Sequence, residues 1–156
     1  MKNDIAGFFL DGWYMFDNFS SFSIIFQNKY YPTVEHAFQS LKYAHSAPDI
    51  AEKIRCMTSP AEVFAYTRRQ EIKSLKDPDW DAKKIRVMED LIRAKFDQHH
   101  IVREALERSG SLTIVEMNDN DDFWGWGTGP DHQGGNMLGK TWMKVRREYA
   151  EVSKKE

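Results

Sequence analysis

Tyr31-Pro32-Thr33-Val34-Glu35-His36-Ala37-Phe38-Gln39-Ser40-Leu41-Lys42-Tyr43 is the stretch on which the fold turns. Thr33 can accept a hydrogen bond from a first-turn N–H, so it caps a helix whose pattern runs to about His45. Val34, Ala37, Phe38 and Leu41 recur at three- and four-residue steps and form its buried stripe. Glu35, Gln39 and Lys42 stand at i, i+4 and i+7, and at about 100° per residue they fall within roughly 60° of one another. A carboxylate, an amide and an amine therefore line one face beside the apolar stripe. Spacing by itself also fits a solvated polar face.

Working outward, the chain before this helix is rich in Phe, Tyr, Ile and Ser. Gln27-Asn28 lies between two β-prone runs, Phe22 to Phe26 and Lys29 to Tyr31, which suits a short hairpin. After it the pattern stays helical. A short helix follows Ser46 with Pro48 in its first turn. Ser59-Pro60-Ala61-Glu62 is a capping box with proline at the first helical position, opening a helix to about Gln70. A long amphipathic helix from Asp79 or Trp80 to Asp97 carries Ile85, Met88, Ile92 and Phe96. Helix continues from His99 to Arg108 and ends at Gly110, a C-cap glycine. Leu112 to Val115 suits a strand, a glycine-rich loop covers residues 118–135, and a last helix runs from about Asn136 to Val152. The expected fold is mainly α: a single compact helical domain over residues 1–156, with a small N-terminal β-hairpin and short strands.

Composition narrows the function. The 156 residues suffice for one domain with a real core. A net charge of −2 excludes the broad basic field of non-specific duplex binders, although a local basic patch remains compatible. The single cysteine, Cys56, excludes a disulfide framework and a thiolate metal site, and fits a reducing compartment. The N-terminus lacks a signal-peptide pattern and no run approaches the roughly 18 apolar residues of a membrane span, so the cytoplasm is the expected location and no membrane partner is expected.

Glu35 lies in a first helical turn, where the positive dipole end favours the ionised carboxylate. That suits a base, or a group stabilising an oxocarbenium-like transition state. Lys42 lies about 10 Å along the same face; if partly buried, it can lose its proton and act as a nucleophile. A second candidate site is Asp119-Asn120-Asp121-Asp122-Phe123-Trp124-Gly125-Trp126-Gly127, where carboxylates and stacking rings can meet one ligand. Its spacing fails the EF-hand pattern, leaving a ligand loop or an ordinary turn. Gly134 to Thr141 satisfies G-x-x-x-x-G-K-[ST] letter by letter. Residues 129–133 before it are no buried strand, and too little chain follows for the required sheet, so the nucleotide phosphate loop is rejected. The N–H groups at that helix start could still hold a phosphate. His99-His100 lacks a third ligand and reads as surface; no metal and no cofactor are expected.

The chain resembles the NADAR (YbiA-like) superfamily over nearly its whole length. The matching pieces are Phe16-Asp17-Asn18-Phe19-Ser20, residues 31–39, Lys42-Tyr43, Ser59-Pro60, Arg68, Trp80, Val87-Met88, Lys95-Phe96 and Gln98. They continue with Val115-Glu116, Asn120-Asp121, Phe123-Trp124-Gly125, Gly134, Asn136, Leu138-Gly139, Met143 and Arg146. The resemblance implies a mainly α-helical fold and hydrolysis of N-glycosidic bonds. It implies a nucleotide-like small substrate, either ADP-ribose on a base such as guanine, including in ADP-ribosylated nucleic acid, or a phosphoribosylamino-pyrimidine of riboflavin synthesis. It further implies catalytic positions at Glu35, Lys42 and Asp121, with Lys42 as a Schiff-base lysine in the ADP-ribosyl branch. Substrate-binding positions would be Asn18, Phe19, Gln39, Arg68, Trp80, Trp124, Asn136 and Gly139. The expected pocket lies between the helix 33–45 and the loop 118–135, with phosphates near Asn136 and Arg68. The alternative is a non-catalytic ADP-ribose or NAD reader with the same pocket.

Overall fold

The computed structural model describes residues 5–154. In chain order these contain β1 (Ile5–Gly7), a 3-10 turn (Tyr14–Phe16), β2 (Ile24–Phe26), β3 (Lys29–Tyr31), α1 (Val34–Leu41), α2 (Pro48–Arg55), α3 (Pro60–Thr67) and α4 (Gln70–Lys73). They continue with α5 (Trp80–Gln98), α6 (His100–Arg108), β4 (Thr113–Val115) and α7 (Met137–Ser153). The fold is mainly α with a few short strands, as the periodicity implies. Two compact units emerge: Asn18–Gln98 forms one, and the segments up to Asp17 and from His99 form the other. No described helix is long and apolar enough to cross a membrane.

In the unit Asn18–Gln98, β2 and β3 pair antiparallel with Ile25 opposite Tyr30. Gln27 and Asn28 both take positive φ, 50° and 61°, as a two-residue hairpin loop of the primed type requires. The Gln98 carboxamide imitates a neighbouring strand: its Oε1 accepts from Ile25 N–H at 2.8 Å and its Nε2 donates to Ile25 C=O at 2.9 Å. An exposed hairpin edge is thereby blunted.

Val34, Ala37 and Phe38 of α1 are buried as the stripe requires. Tyr43, Ala51, Ile54, Val63, Tyr66 and Ile72 form a neighbouring cluster. Thr33 caps α1 by accepting from His36 N–H at 3.2 Å, and Ser59 caps α3 by accepting from Glu62 N–H at 3.2 Å. On α5 the buried residues include Met88, Leu91, Ile92 and Phe96. Ile85, expected in that stripe, sits on its exposed rim. Lys95 is wholly buried; its ammonium donates to Ser20 Oγ at 2.7 Å and lies 5.3 Å from the Phe22 ring centre. It ties the segment after Asn18 to α5.

Helix α1 ends at Leu41, four residues before the expected limit. The cause is Asp77, 35 positions beyond Lys42. The Asp77 carboxylate accepts from Ser46 N–H at 2.8 Å, Ser46 Oγ–H at 2.6 Å and His45 N–H at 3.3 Å, while Asp77 N–H donates to Lys42 C=O at 2.8 Å. A buried acceptor recruits the amides that a longer helix would have used, and the chain leaves the helix at Lys42.

In the other unit, β1 and β4 pair in parallel with Ala6 opposite Ile114. Nothing in the three residues of β1 announces a strand, because its partner is more than 100 residues away. Trp142 of α7 is fully buried; its Nε1–H donates to Phe16 C=O at 2.9 Å and its ring centre stands 4.9 Å from that of Phe16. Helix α7 packs against β4 so closely that a Cβ on Gly139 would stand 2.1 Å from Ile114 O. Only glycine fits there.

Candidate functional site

Helix α1 and the segment entering it carry three buried polar side chains. Glu35, Gln39 and Asn18 are 7 %, 8 % and 7 % exposed. Thr33 sets the start of α1, and Glu35 N–H, in its first turn, donates to Asn18 C=O at 3.1 Å. One turn on, Gln39 Nε2 donates to Glu35 Oε1 at 2.8 Å. The stripe inferred from spacing is therefore real, but it is buried, so the solvated-face reading fails for Glu35 and Gln39. Asn18 Nδ2 faces the Met88 sulfur at 3.6 Å. Asn18 Oδ1 and Gln39 Oε1, both buried, have no hydrogen-bond partner.

Lys42 keeps helical dihedrals at the C-cap of α1 and so stays on the face of Glu35 and Gln39. Its Nζ stands 5.2 Å from the Phe38 ring centre. Burial lowers the pKa of its amine; the Glu35 charge pulls it back up, and the Lys76 and Lys84 charges push it down again. The net direction is downward, as a nucleophilic amine requires. Asp77 was not foreseen, since nothing in Lys76-Asp77-Pro78 marks it out. Burial alone would raise its pKa, but the hydrogen bonds from Ser46, Lys83 and His45 outweigh that and hold the carboxyl below its usual value.

Phe19 and Phe64 meet edge to face with ring centres 6.1 Å apart, and the Arg68 guanidinium covers Phe64 at 4.5 Å. Arg68 is exposed. Trp80 is 2 % exposed and packs edge to face on Phe38 at 5.1 Å. It supports the ring beneath Lys42 and shows almost no surface of its own.

In the other unit, Asp121 shapes its own loop. Its Oδ1 accepts from Phe123 N–H at 2.9 Å and Trp124 N–H at 2.8 Å. The half-buried Trp124 crosses Phe123 edge to face at 4.9 Å. Trp126 stacks on His132 at 3.8 Å and donates from Nε1 to Asp119 at 2.7 Å. The loop is compact because its two arms touch: a Cβ on Gly134 would stand 2.5 Å from Gly127 N.

Asn136 takes a left-handed backbone, φ 46°. Its side chain donates to Ile114 C=O at 2.9 Å and accepts from Glu116 N–H at 3.0 Å, binding α7 to β4. The N–H groups of Asn136, Met137 and Leu138 donate to the carbonyls of Gly125, Phe123 and Trp124 at 2.7, 3.1 and 3.2 Å. Carbonyls thus stand where the sequence suggested a phosphate. Asn136 and Gly139 have packing roles that their spacing did not disclose. Among the described residues no group of three or more metal-ligating side chains gathers.

Comparison with known proteins agrees with this architecture. Residues 3–150 match the NADAR domain. The chain is 34 % identical over 152 residues to N-glycosidase YbiA of Escherichia coli, covering 96 % of this chain and 91 % of that one. It is 37 % identical over 134 residues to an N-glycosidase of Nostoc punctiforme, covering 85 % and 83 %. A maize protein named for riboflavin biosynthesis is 34 % identical over 145 residues, which span 85 % of this chain and 23 % of that one. The solution structure of Escherichia coli YbiA superposes with a TM-score of 0.83 at 32 % identity, over 100 % of this chain and 90 % of that one. The chain is an enzyme of the N-glycosyl hydrolase class. It belongs to the NADAR domain family.

Proposed function

We propose that the enzyme hydrolyses the C–N bond between a ribose, carried as a ribose phosphate or within ADP-ribose, and a nitrogen base. The observation that carries this reading is the buried Glu35 carboxylate, held by Gln39 at 2.8 Å on the same helix face as Lys42. As the bond breaks, its electron pair leaves with the base and positive charge grows at the anomeric carbon. A fixed carboxylate in a dry surround stabilises that charge. Water then adds to the anomeric carbon, and the proton it gives up to Glu35 passes on to the departed nitrogen, which restores the carboxylate.

Two substrates fit the chemistry: ADP-ribose on a guanine base, free or in nucleic acid, and a phosphoribosylamino-pyrimidine. The maize relative's name favours the second. The lowered pKa of Lys42 favours the first, because ring-opened ADP-ribose offers an aldehyde to an uncharged amine. Asp121 and Trp124 enter the reading through the family resemblance, Arg68 as a phosphate ligand. Cytoplasmic work suits the single cysteine and such phosphorylated substrates.

Both substrates should be assayed side by side, with base release followed by chromatography. Glu35→Gln is expected to lower turnover at least roughly 100-fold on whichever is used. Tight binding of ADP-ribose without base release from either substrate would turn the protein into a reader; unchanged turnover in the variant would remove Glu35 from the mechanism.

A further inference from the structure

We propose that Lys76, Lys84 and Asp81 form a charge set at the end of α1 that keeps the Lys42 amine available as an uncharged nucleophile beside an ionised Glu35. Lys76 and Lys84 are its positioning residues, and Asp81 is their counterweight. For the chemistry it serves, this rests on the Schiff-base route within the reading above.

The backbone brings Lys76 to Lys42. Asp77 N–H, part of the peptide unit that joins Lys76 to Asp77, donates to Lys42 C=O at 2.8 Å. The Asp77 carboxylate accepts from Ser46 N–H at 2.8 Å, so this peptide unit lies against the end of α1. The Lys76 ammonium pairs with Asp81 at 2.8 Å, and Asp81, in the first turn of α5, reaches Lys84 at 3.7 Å. Lys76, Asp81 and Lys84 are thus joined in one run of ion pairs that begins beside Lys42.

A nucleophilic lysine next to a carboxylate meets a conflict, because the carboxylate that stabilises positive charge in the substrate also stabilises the ammonium. Burial is the first cause that disfavours the Lys42 ammonium. Four charges face it: Glu35 on its own helix, Lys76 from the turn after α4, and Asp81 and Lys84 from α5. The Asp77 carboxylate is held by Ser46 and His45 and pairs with Lys83 at 3.3 Å. Glu35 and Asp81 favour the ammonium, while Lys76 and Lys84 disfavour it. The three residues of the set together turn a net positive charge towards Lys42, which offsets Glu35. A cationic neighbour is one of the ways a lysine is activated. Lys42 itself is half-buried, so a small reagent can still reach its amine.

The test is trace labelling of the full chain with acetic anhydride as a function of pH, with acetylation of Lys42 followed by mass spectrometry. Lys76→Met and Lys84→Met should each raise the labelling midpoint of Lys42 by about half a pH unit, the scale of one nearby like charge in a solvated surround. Lys76→Arg, which keeps the charge, should leave the midpoint in place. Asp81→Asn should lower it by a similar amount. Loosened packing would expose Lys42 and raise the midpoint in every variant, so the fall in Asp81→Asn separates charge from structure. Should Lys76→Met fail to fold, Lys84→Met and Asp81→Asn decide. A midpoint unmoved by the lysine variants, or raised in Asp81→Asn, overturns the inference. Midpoints that move as expected while Lys42→Ala keeps full turnover uphold the charge set and overturn the Schiff-base route instead.

Discussion

Replacing Asp77 by asparagine should destabilise the protein by about 2–3 kcal/mol, and the structure shows where that figure comes from. The side chain is 1 % exposed. One oxygen accepts from Ser46 N–H and Ser46 Oγ–H at 2.8 and 2.6 Å; the other faces His45 N–H at 3.4 Å and the Lys83 ammonium at 3.3 Å. Asparagine preserves shape and one oxygen. The two Ser46 bonds survive as neutral ones, each weakened by about 1 kcal/mol, since bonds to charged groups contribute about 1.5–3 and neutral ones about 1. The new NH2 group points a donor at the Lys83 ammonium, so that contact is lost, and His45 N–H keeps only the retained oxygen at 3.3 Å. Lys83 is partly solvated and keeps Asp79 at 2.9 Å, which limits its loss to the lower end of the range.

For a domain of this size such a change lowers Tm by about 5–10 °C. Thermal and urea unfolding followed by circular dichroism would measure it, with Asp79→Asn as the exposed control, expected to fall within about 0.5 kcal/mol of wild type. A shift in Asp77→Asn as small as the control's would refute the claim that this carboxylate ends α1 and holds the turn after Lys42. The pH dependence has a definite sign. The carboxyl pKa is depressed in the folded state, so its contribution is present above about pH 3.9, the unfolded value, and is lost as pH falls through the folded pKa.

If Lys42 attacks as an amine, borohydride added during turnover should trap a covalent adduct on it, increasingly as pH rises, and Lys42→Ala should abolish both trapping and activity; active turnover without an adduct would leave direct water attack. Trp124→Ala should weaken substrate binding by about fivefold to 150-fold, because base–aromatic stacking contributes about 1–3 kcal/mol; an unchanged dissociation constant would make the ring structural. His36 is wholly buried, its Nδ1 paired with Thr33 Oγ at 2.8 Å and its Nε2 with Met57 C=O at 3.1 Å. Burial lowers its pKa, so its contribution is complete above about pH 6.5 and erodes as pH falls below it, by at most about 1.4 kcal/mol per pH unit. The slope of stability against pH between 7.5 and 5.5 should flatten in His36→Gln, and an unaltered slope would assign the acid sensitivity to other groups.

What the sequence disclosed was local. The cap at Thr33, the apolar stripe of α1, the capping box at Ser59 and the two-residue turn at Gln27-Asn28 each rest on neighbours within four residues. Glu35, Gln39 and Lys42 were found the same way, because 3.6-residue periodicity puts them on one face. The parallel partner of β1, the buried ion held by Ser20 and the Asp77 lock depend on residues about 30 to more than 100 positions apart, and no short window contains both halves. Asn136 and Gly139 carry the same lesson. Their spacing resembles a phosphate loop, yet the N–H groups around them are spent on carbonyls of the preceding loop.

The early end of α1 bears directly on the chemistry of Lys42. At a helix C-terminus the partial negative charge favours an ammonium, and the Glu35 charge favours it too. Both effects oppose a nucleophilic lysine. The net shift is nevertheless downward, because burial of the amine, aided by the Lys76 and Lys84 charges, outweighs them. Trp80 packs edge to face on the Phe38 ring. If that packing keeps water from Phe38, it also keeps Lys42 short of solvent. Trimming Trp80 would admit water, raise the lysine pKa towards its ordinary value and reduce the uncharged fraction at neutral pH, with the amine itself untouched.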